Sequence, residues 1–157
     1  MESTIVVGSS RSVCGTGLGR YVDIGNHLVV RVNRKPNPDF ANDYGSKTDI
    51  FFGCPLYEKF IRDMGNRVII PHRYIIDISN DFMEDTSQKW LTTGFIAILM
   101  TCCFSKHTEI LGFGNTPDKI ISDGNGGKSL VTYSSGEQRY DRHDLDFEHR
   151  ILKVLHD

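Results

Sequence analysis

The 157-residue sequence lacks several features that would assign it to a common functional class. It has no run of basic residues and a formal net charge of −2, whereas nucleic-acid-binding surfaces usually cluster lysine and arginine. Its four cysteines include no CxxC pair, the spacing typical of structural zinc sites. The sequence therefore argues against a nucleic-acid partner and against a bound zinc ion.

Long hydrophobic segments are also missing. The longest apolar stretch covers residues 95–103, whereas a membrane-spanning helix needs about 20 apolar residues. Residues 1–4 lead directly into the apolar residues 5–7, without the basic start and longer apolar segment of a secretory signal. We therefore expect a cytoplasmic chain without a membrane span, with Cys102 and Cys103 as buried free thiols.

What remains is the composition of an ordinary globular protein, with 39% hydrophobic and 24% charged residues. Without a linker or an internal repeat, this length predicts a single domain over residues 1–157. Continuous apolar segments alternate with helix-like ones, which is typical of strands buried on both faces. The pattern predicts an α/β fold, a Rossmann-like sandwich with a mostly parallel central sheet and helices on both faces.

The boundaries of these elements follow from local patterns. We expect strands over residues 5–8, 27–33, 49–52, 67–70, 74–78, 109–113 and 130–133, and helices over residues 15–23, 57–64, 93–104 and 143–155. Residues 115–127 are polar and rich in glycine, which predicts a loop. In the last helix, Phe147, Ile151, Val154 and Leu155 keep helical spacing and are expected to face the core.

Ligands of parallel sheets bind at the carboxyl ends of the strands. Gly8, Ser9 and Ser10 follow the first predicted strand, and their small size, hydroxyls and backbone N–H groups suit a phosphate. Taken alone, these three residues are a weak signal, and a plain tight turn is the favoured explanation. The glycines at positions 15, 17 and 19 do not form GxGxxG, and residues 45–48 (GSKT) lack the order of a P-loop.

Three groups of motifs, taken in order, resemble a known family. Residues 6–10 (VVGSS), 17–19 (GLG), 31–36 (RVNRKP) and 43–48 (DYGSKT), with Asp23 between them, resemble the long L motif of the sialyltransferases, glycosyltransferase family 29. That motif runs VVGNSG, GLG, ID, R-x-N-R-x-P and D-V-G-S-K-T. Residues 92–94 (TTG) and 111–114 (LGFG) resemble the S motif, which has STG and YGFG. Residues 143–148 (HDLDFE) match the very short motif H-x-x-x-x-E.

The resemblance implies a GT-A-type fold and an inverting, metal-independent transfer of sialic acid from CMP-sialic acid to a glycan hydroxyl, with no cofactor. It makes His143 the base that takes the proton of the acceptor hydroxyl, and a start of the last helix at His143 would keep the imidazole neutral. Glu148 lies five positions later, off that helical face, and is expected to be structural. The residues implied to hold the nucleotide and its phosphate are Gly8, Ser9, Ser10, Asn33, Thr92, Thr93, Gly94, Gly112, Gly114 and Tyr133.

The chain departs from the family pattern in places, which keeps alternatives open. Ser9 stands where many relatives have asparagine, and no histidine accompanies Tyr133. Arg139, Tyr140 and Arg142 either meet the sugar carboxylate or form a charged surface loop. Another CMP-linked keto-acid sugar such as Kdo would fit the same motifs, and so would a catalytically silent nucleotide-binding protein. A disulfide of secreted relatives maps onto Thr4 and Ser105, which we therefore expect to be neighbours.

Overall fold

A computed structural model describes residues 3–33, 35–53, 67–69, 74, 77–78, 81, 91–113, 120–122, 128–132, 136–139 and 145–156. The main sheet is parallel, with strand order β4-β3-β2-β1-β5. Its strands are β1 (Ser3–Val7), β2 (Leu28–Val32), β3 (Ile50–Gly53), β4 (Arg67–Ile69) and β5 (His107–Leu111). The helices are α1 (Gly19–Ile24), α2 (Ala41–Tyr44), α3 (Thr93–Phe104) and α4 (Leu145–His156).

Helices cover both faces of the main sheet. On one face, Val22 of α1 and Tyr44 of α2 pack with Ile5, Val7 and Val29 of the two central strands. On the other, the buried α3 packs on Val6 and Val30, and α4 adds three partly buried residues, which are Phe147, Ile151 and Leu152. The alternation of neighbouring strand residues between the two clusters follows from the period of two along a strand. The predicted α/β fold with a parallel sheet and helices on both faces is confirmed.

A second, antiparallel sheet contains β6 (Ile120–Ser122), β7 (Lys128–Thr132) and β8 (Gly136–Arg139). The prediction of a loop over residues 115–127 is therefore wrong where β6 lies. Ile120 and Ile121 are placed in register with Leu130 and Ser129, so their backbone groups gain partners that the glycine-rich sequence around them does not reveal.

Three other expectations need correction. The strand expected over residues 74–78 is wrong at the described positions, because Tyr74, Asp77 and Ile78 are helical, and of these three Ile78 packs against the core. Cys102 and Cys103 are exposed, since α3 is buried along residues 93–98 and only Thr101 of its last turn is covered. Val154 and Leu155 are also exposed, because α4 turns the stripe through Phe147, Ile151 and Leu152 toward the core instead.

Two further expectations concern helix length and the replaced disulfide. Among the residues that the structure describes, no helix is long and apolar enough to cross a membrane. Thr4 lies opposite Thr108 in the pairing of β1 with β5, and Ser105, at the end of α3, comes three residues before Thr108. The expected proximity of Thr4 and Ser105 stays a prediction.

Candidate functional site

The order in which strands are added to the sheet reverses at β1, because β2 lies on one side of this strand and β5 on the other. Such a switch point leaves a crevice at the carboxyl ends of the two diverging strands. The segments that follow β1 and β5 are joined there. The Gly8 amide donates to the Leu111 carbonyl at 2.8 Å, and the Ser10 amide donates to the Gly112 carbonyl at 2.7 Å. Gly112 has φ +73°, a backbone conformation that favours glycine.

The ring of Phe113 brings three motif segments together. A Cβ atom at Gly8 would lie 2.9 Å from Cε2 of this ring, and a Cβ atom at Gly94 would lie 2.7 Å from its Cε1. Both separations are too short for real side chains, so glycine is needed at both positions. The ring therefore fits closely between the loop after β1 and the first turn of α3. This contact joins the L-like block at residues 6–10 to both halves of the S-like motif.

Of the three loop residues that follow β1, Gly8 to Ser10, Ser9 makes the fewest hydrogen bonds. Its neighbours Gly8 and Ser10 each donate their amide to the β5 side, and Ser10 is 5% exposed. Ser9 is half-buried, and neither its amide nor its hydroxyl has a hydrogen-bond partner among the described residues. A backbone N–H and a side-chain O–H on one residue suit an anionic oxygen.

Asn33 follows β2 and has φ 58°, the left-handed conformation that asparagine tolerates better than most residues. Its backbone N–H donates to the Phe52 carbonyl of β3 at 2.8 Å, which fixes the turn at the carboxyl edge of the sheet. The side chain is half-buried. The structure thus brings Asn33 to the same sheet edge as the β1 loop, one strand away from it.

Thr92 caps α3 and is bound by Glu148 of α4. The Thr92 hydroxyl accepts the Phe95 amide at 3.0 Å and donates to Glu148 Oε2 at 2.8 Å, while the Thr92 amide donates to Glu148 Oε1. The only hydroxyl hydrogen of Thr92 is therefore used inside the protein and is not available for a phosphate. Thr93 is 8% exposed, and Gly94 is buried in the first turn of α3.

The structural role expected for Glu148 is confirmed. Its carboxylate is 5% exposed and accepts from both the amide and the hydroxyl of Thr92, across 56 positions of sequence. A buried carboxylate needs such donors, because burial without them is costly. Helix α4, which begins two residues after His143, is thereby tied to the start of α3.

Most polar residues of the L-like motif hold loops rather than face the crevice. Asp23 accepts the amides of Ser46 and Lys47, both at 2.7 Å, and the Ser46 hydroxyl at 3.1 Å. Burial by itself would raise the pKa of Asp23, but these bonds and the nearby Arg31 outweigh it and hold the pKa below its ordinary value. Gly45 has φ +67°, and a Cβ there would lie 2.5 Å from Asp23 Oδ1.

Two other charged residues act in the same way. Arg31 is 1% exposed, and its guanidinium donates to the carbonyls of Tyr44 at 2.8 Å and Lys47 at 2.9 Å. Asp43 accepts the Gly17 amide at 3.0 Å, and hydrogen bonds from the Gly15 and Gly17 amides keep its pKa below the ordinary value. These groups fix the loop before α1 and the turn after α2 on one face of the sheet.

Tyr44 is a residue near the site that the sequence did not identify. Its hydroxyl donates to the carbonyl of Ser10, and a Cβ at Gly112 would lie 3.0 Å from its Cε1 atom. One indication in the sequence is that Tyr44 stands where the L-motif pattern has valine. Gly114, Tyr133, His143, Tyr140 and Arg142 lie outside the described residues, and Arg139 is described only as the last backbone position of β8.

No protein-family model matches the sequence, and no curated protein matches it. Two crystal structures of a mammalian sialyltransferase are similar to this chain in fold. One has a TM-score of 0.66 at 18% sequence identity. The other, in complex with Gal-β1-3GalNAc-ortho-nitrophenol, has a TM-score of 0.64 at 17% identity. Each match covers 98% of this chain and 65% of the sialyltransferase chain. At this level of identity the likeness establishes the fold.

Proposed function

We propose that this chain is an inverting glycosyltransferase of GT-A type that moves sialic acid from CMP-sialic acid to a hydroxyl of a glycan. The observation that carries the proposal is the meeting of the L-like and S-like segments around Phe113, at the switch point between β1 and β5. The similarity in fold to mammalian sialyltransferases supports it, and one of those structures was solved with a disaccharide acceptor analogue.

The proposed donor site occupies the carboxyl edge of the sheet. The amide and hydroxyl of Ser9 donate to the phosphate of CMP, with Gly8 and Gly112 allowing close approach of the donor to the backbone. The side chain of Asn33 donates from the end of β2. Gly94 and Thr93 border the site at the start of α3. Thr92 supports it by capping α3, because its hydroxyl hydrogen is engaged by Glu148.

The proposed chemistry needs a base and a stabilised leaving group. His143 takes the proton from the acceptor hydroxyl as its oxygen attacks the anomeric carbon of the donor. The bond from that carbon to the phosphate oxygen breaks, CMP leaves with the electron pair, and attack from the opposite face inverts the configuration. Hydrogen bonds to the phosphate stabilise the charge on CMP, so the reaction needs no metal ion.

The anchoring of α4 supports the role of His143. Glu148 attaches this helix to Thr92 at the carboxyl edge, and the helix starts two residues after the histidine. The proposed base is thus linked in sequence to an element that the structure fixes against the S-like segment. Metal independence and the cytoplasm as the site of action remain parts of the proposal.

The test measures release of CMP from CMP-sialic acid and from CMP-Kdo, with and without a glycan acceptor and with EDTA present. We expect acceptor-dependent release from CMP-sialic acid that survives EDTA. His143→Ala should lower turnover on the order of 10²–10⁴-fold and leave CMP affinity unchanged, because the base acts on the acceptor. His149→Ala, at an exposed histidine of α4, is the control and should keep wild-type turnover.

Each other outcome has a defined meaning. Full turnover in His143→Ala rules out that residue as the base. Loss of activity in EDTA that Mn²⁺ restores contradicts the metal-independent mechanism. Preference for CMP-Kdo replaces the donor, and CMP binding without turnover of either donor identifies a catalytically silent nucleotide-binding protein.

A further inference from the structure

Tyr44 sits beneath the loop that follows β1. Its side chain is 1% exposed, and its ring packs in the cluster with Ile5, Val7 and Val29. The ring also touches the turn after β5, because a Cβ at Gly112 would lie 3.0 Å from Tyr44 Cε1. One side chain from the end of α2 therefore contacts the two segments that form the switch point.

The hydroxyl of Tyr44 completes the fixing of Ser10. The Ser10 amide donates to Gly112 at 2.7 Å, and the Ser10 carbonyl accepts from the Tyr44 hydroxyl. Both backbone polar groups of Ser10, its amide and its carbonyl, are thus hydrogen-bonded. The amide and hydroxyl of Ser9 have no partner among the described residues. Held in this way, the backbone of the loop keeps the Ser9 N–H in one direction.

A carbonyl oxygen carries partial negative charge and would repel a phosphate that approached it. The bond from Tyr44 directs the Ser10 carbonyl oxygen toward the buried phenol. A valine or phenylalanine at position 44 would fill space but could not hold this carbonyl. The hydroxyl, and not only the ring, therefore bears on how well the loop accepts an anion.

We propose that Tyr44 is a positioning residue, whose hydroxyl holds the Gly8–Ser10 loop in the conformation that binds the phosphate of the nucleotide donor. The inference rests on the proposed donor site, because it gives the ordered loop its ligand. It extends that site to a side chain that does not touch the ligand and that the L-motif pattern does not contain.

The test compares Tyr44→Phe with Tyr21→Phe. Both changes remove only a hydroxyl, but the Tyr21 hydroxyl, on an exposed part of α1, donates to Glu109 of β5. We expect Tyr44→Phe to weaken CMP binding roughly 2–10-fold by calorimetry, which is the usual effect of one lost hydrogen bond. Its KM for the donor should rise by the same factor, with kcat changed by less than about twofold. Tyr21→Phe should match the wild type.

Amide hydrogen exchange tests the same idea without a ligand. In Tyr44→Phe the Ser10 amide should exchange faster, because its loop is held on one side only, whereas Tyr21→Phe should leave that rate unchanged. A wild type that does not bind CMP overturns the donor site, and the exchange rates then still decide the role of Tyr44. Unchanged exchange of the Ser10 amide would show that the Tyr44 hydroxyl does not hold the loop. A Tyr44→Phe protein that does not fold at 25 °C would show that the hydroxyl is required for folding. Either result overturns the positioning role.

Discussion

The two faces of the main sheet are held by different means. On the face under α1 and α2, buried or half-buried charged groups, chiefly Asp23 and Arg31, bind backbone amides and carbonyls of the surrounding loops. On the face under α3 and α4, apolar packing dominates, and the link between Glu148 and Thr92 joins the two helices. On that second face, the buried hydroxyls of Thr4 and Thr108 have no hydrogen-bond partner among the described residues.

This difference between the two faces shows that a motif residue can serve the fold or the reaction. The polar residues of the L-like motif are mostly engaged in shaping loops, so their presence indicates a fold more directly than a reaction. Ser9 and Asn33 are uncharged and follow β1 and β2 at the carboxyl edge of the sheet, where both faces end. Substitutions on the two faces should therefore differ in size and even in sign.

The largest effect on stability is expected at Asp23. Asp23→Ala removes the acceptor of two amides and one hydroxyl around Ser46 and Lys47. We expect the free energy of unfolding to fall by about 2–3 kcal/mol in urea denaturation, since bonds to a charged group are stronger than neutral ones. Asp39→Ala, at an exposed aspartate, should change the free energy of unfolding by less than about 0.5 kcal/mol.

The same carboxylate gives this effect a pH dependence. Because the folded-state pKa of Asp23 is lowered, its contribution is present above the unfolded pKa, about 4, and is lost as the pH falls through the folded value. The difference in stability between the wild type and Asp23→Asn should therefore shrink below about pH 4. A difference that stays constant down to pH 2 contradicts the lowered pKa.

A somewhat smaller effect is expected on the other face. Glu148→Ala removes both bonds to Thr92 and should lower the free energy of unfolding by about 2 kcal/mol. In a double-mutant cycle with Thr92→Val, the two losses should not be additive, because both changes remove the bond from the Thr92 hydroxyl to Glu148 Oε2. Arg150→Ala, an exposed position on α4, serves as the control. Additive losses would show that the contact has little weight.

The smallest change carries the opposite sign. Thr4 is fully buried and its hydroxyl has no hydrogen-bond partner in the described part of the chain, so Thr4→Val should raise the free energy of unfolding by about 1 kcal/mol. Thr101→Val is the matched control, since the Thr101 hydroxyl donates to the Ala97 carbonyl at 2.7 Å and its loss should not stabilise. A change of the same sign in the melting temperatures of both variants would contradict the expected difference between the two hydroxyls.

The sequence predicts the central strands well because β1, β2 and β3 consist mostly of consecutive apolar residues. The helix over residues 93–104 matches α3 to the residue, since it is apolar on all sides and has a threonine cap before it. The structural role of Glu148 could also be inferred, because its spacing from His143 excludes a shared helical face.

What the sequence did not show depends on contacts between distant segments. The exposure of Cys102 and Val154 is decided by which turns of α3 and α4 are covered, and helical periodicity alone leaves that choice open. The strand β6 is stabilised by pairing with β7, and its local composition favours a loop. The contact of Tyr44 with Ser10 joins residues 34 positions apart, which no local pattern encodes.

The ring of Phe113 has a consequence for how this sequence can change over time. At Gly94, only atoms of that ring stand in the way of a Cβ, whereas at Gly8 the carbonyl oxygen of Gly112 also obstructs it, at 2.6 Å. A smaller residue at position 113 would therefore permit alanine at position 94 but not at position 8. Among descendants of this protein, substitution at 94 should follow substitution at 113, while glycine persists at 8 in every lineage that keeps the fold.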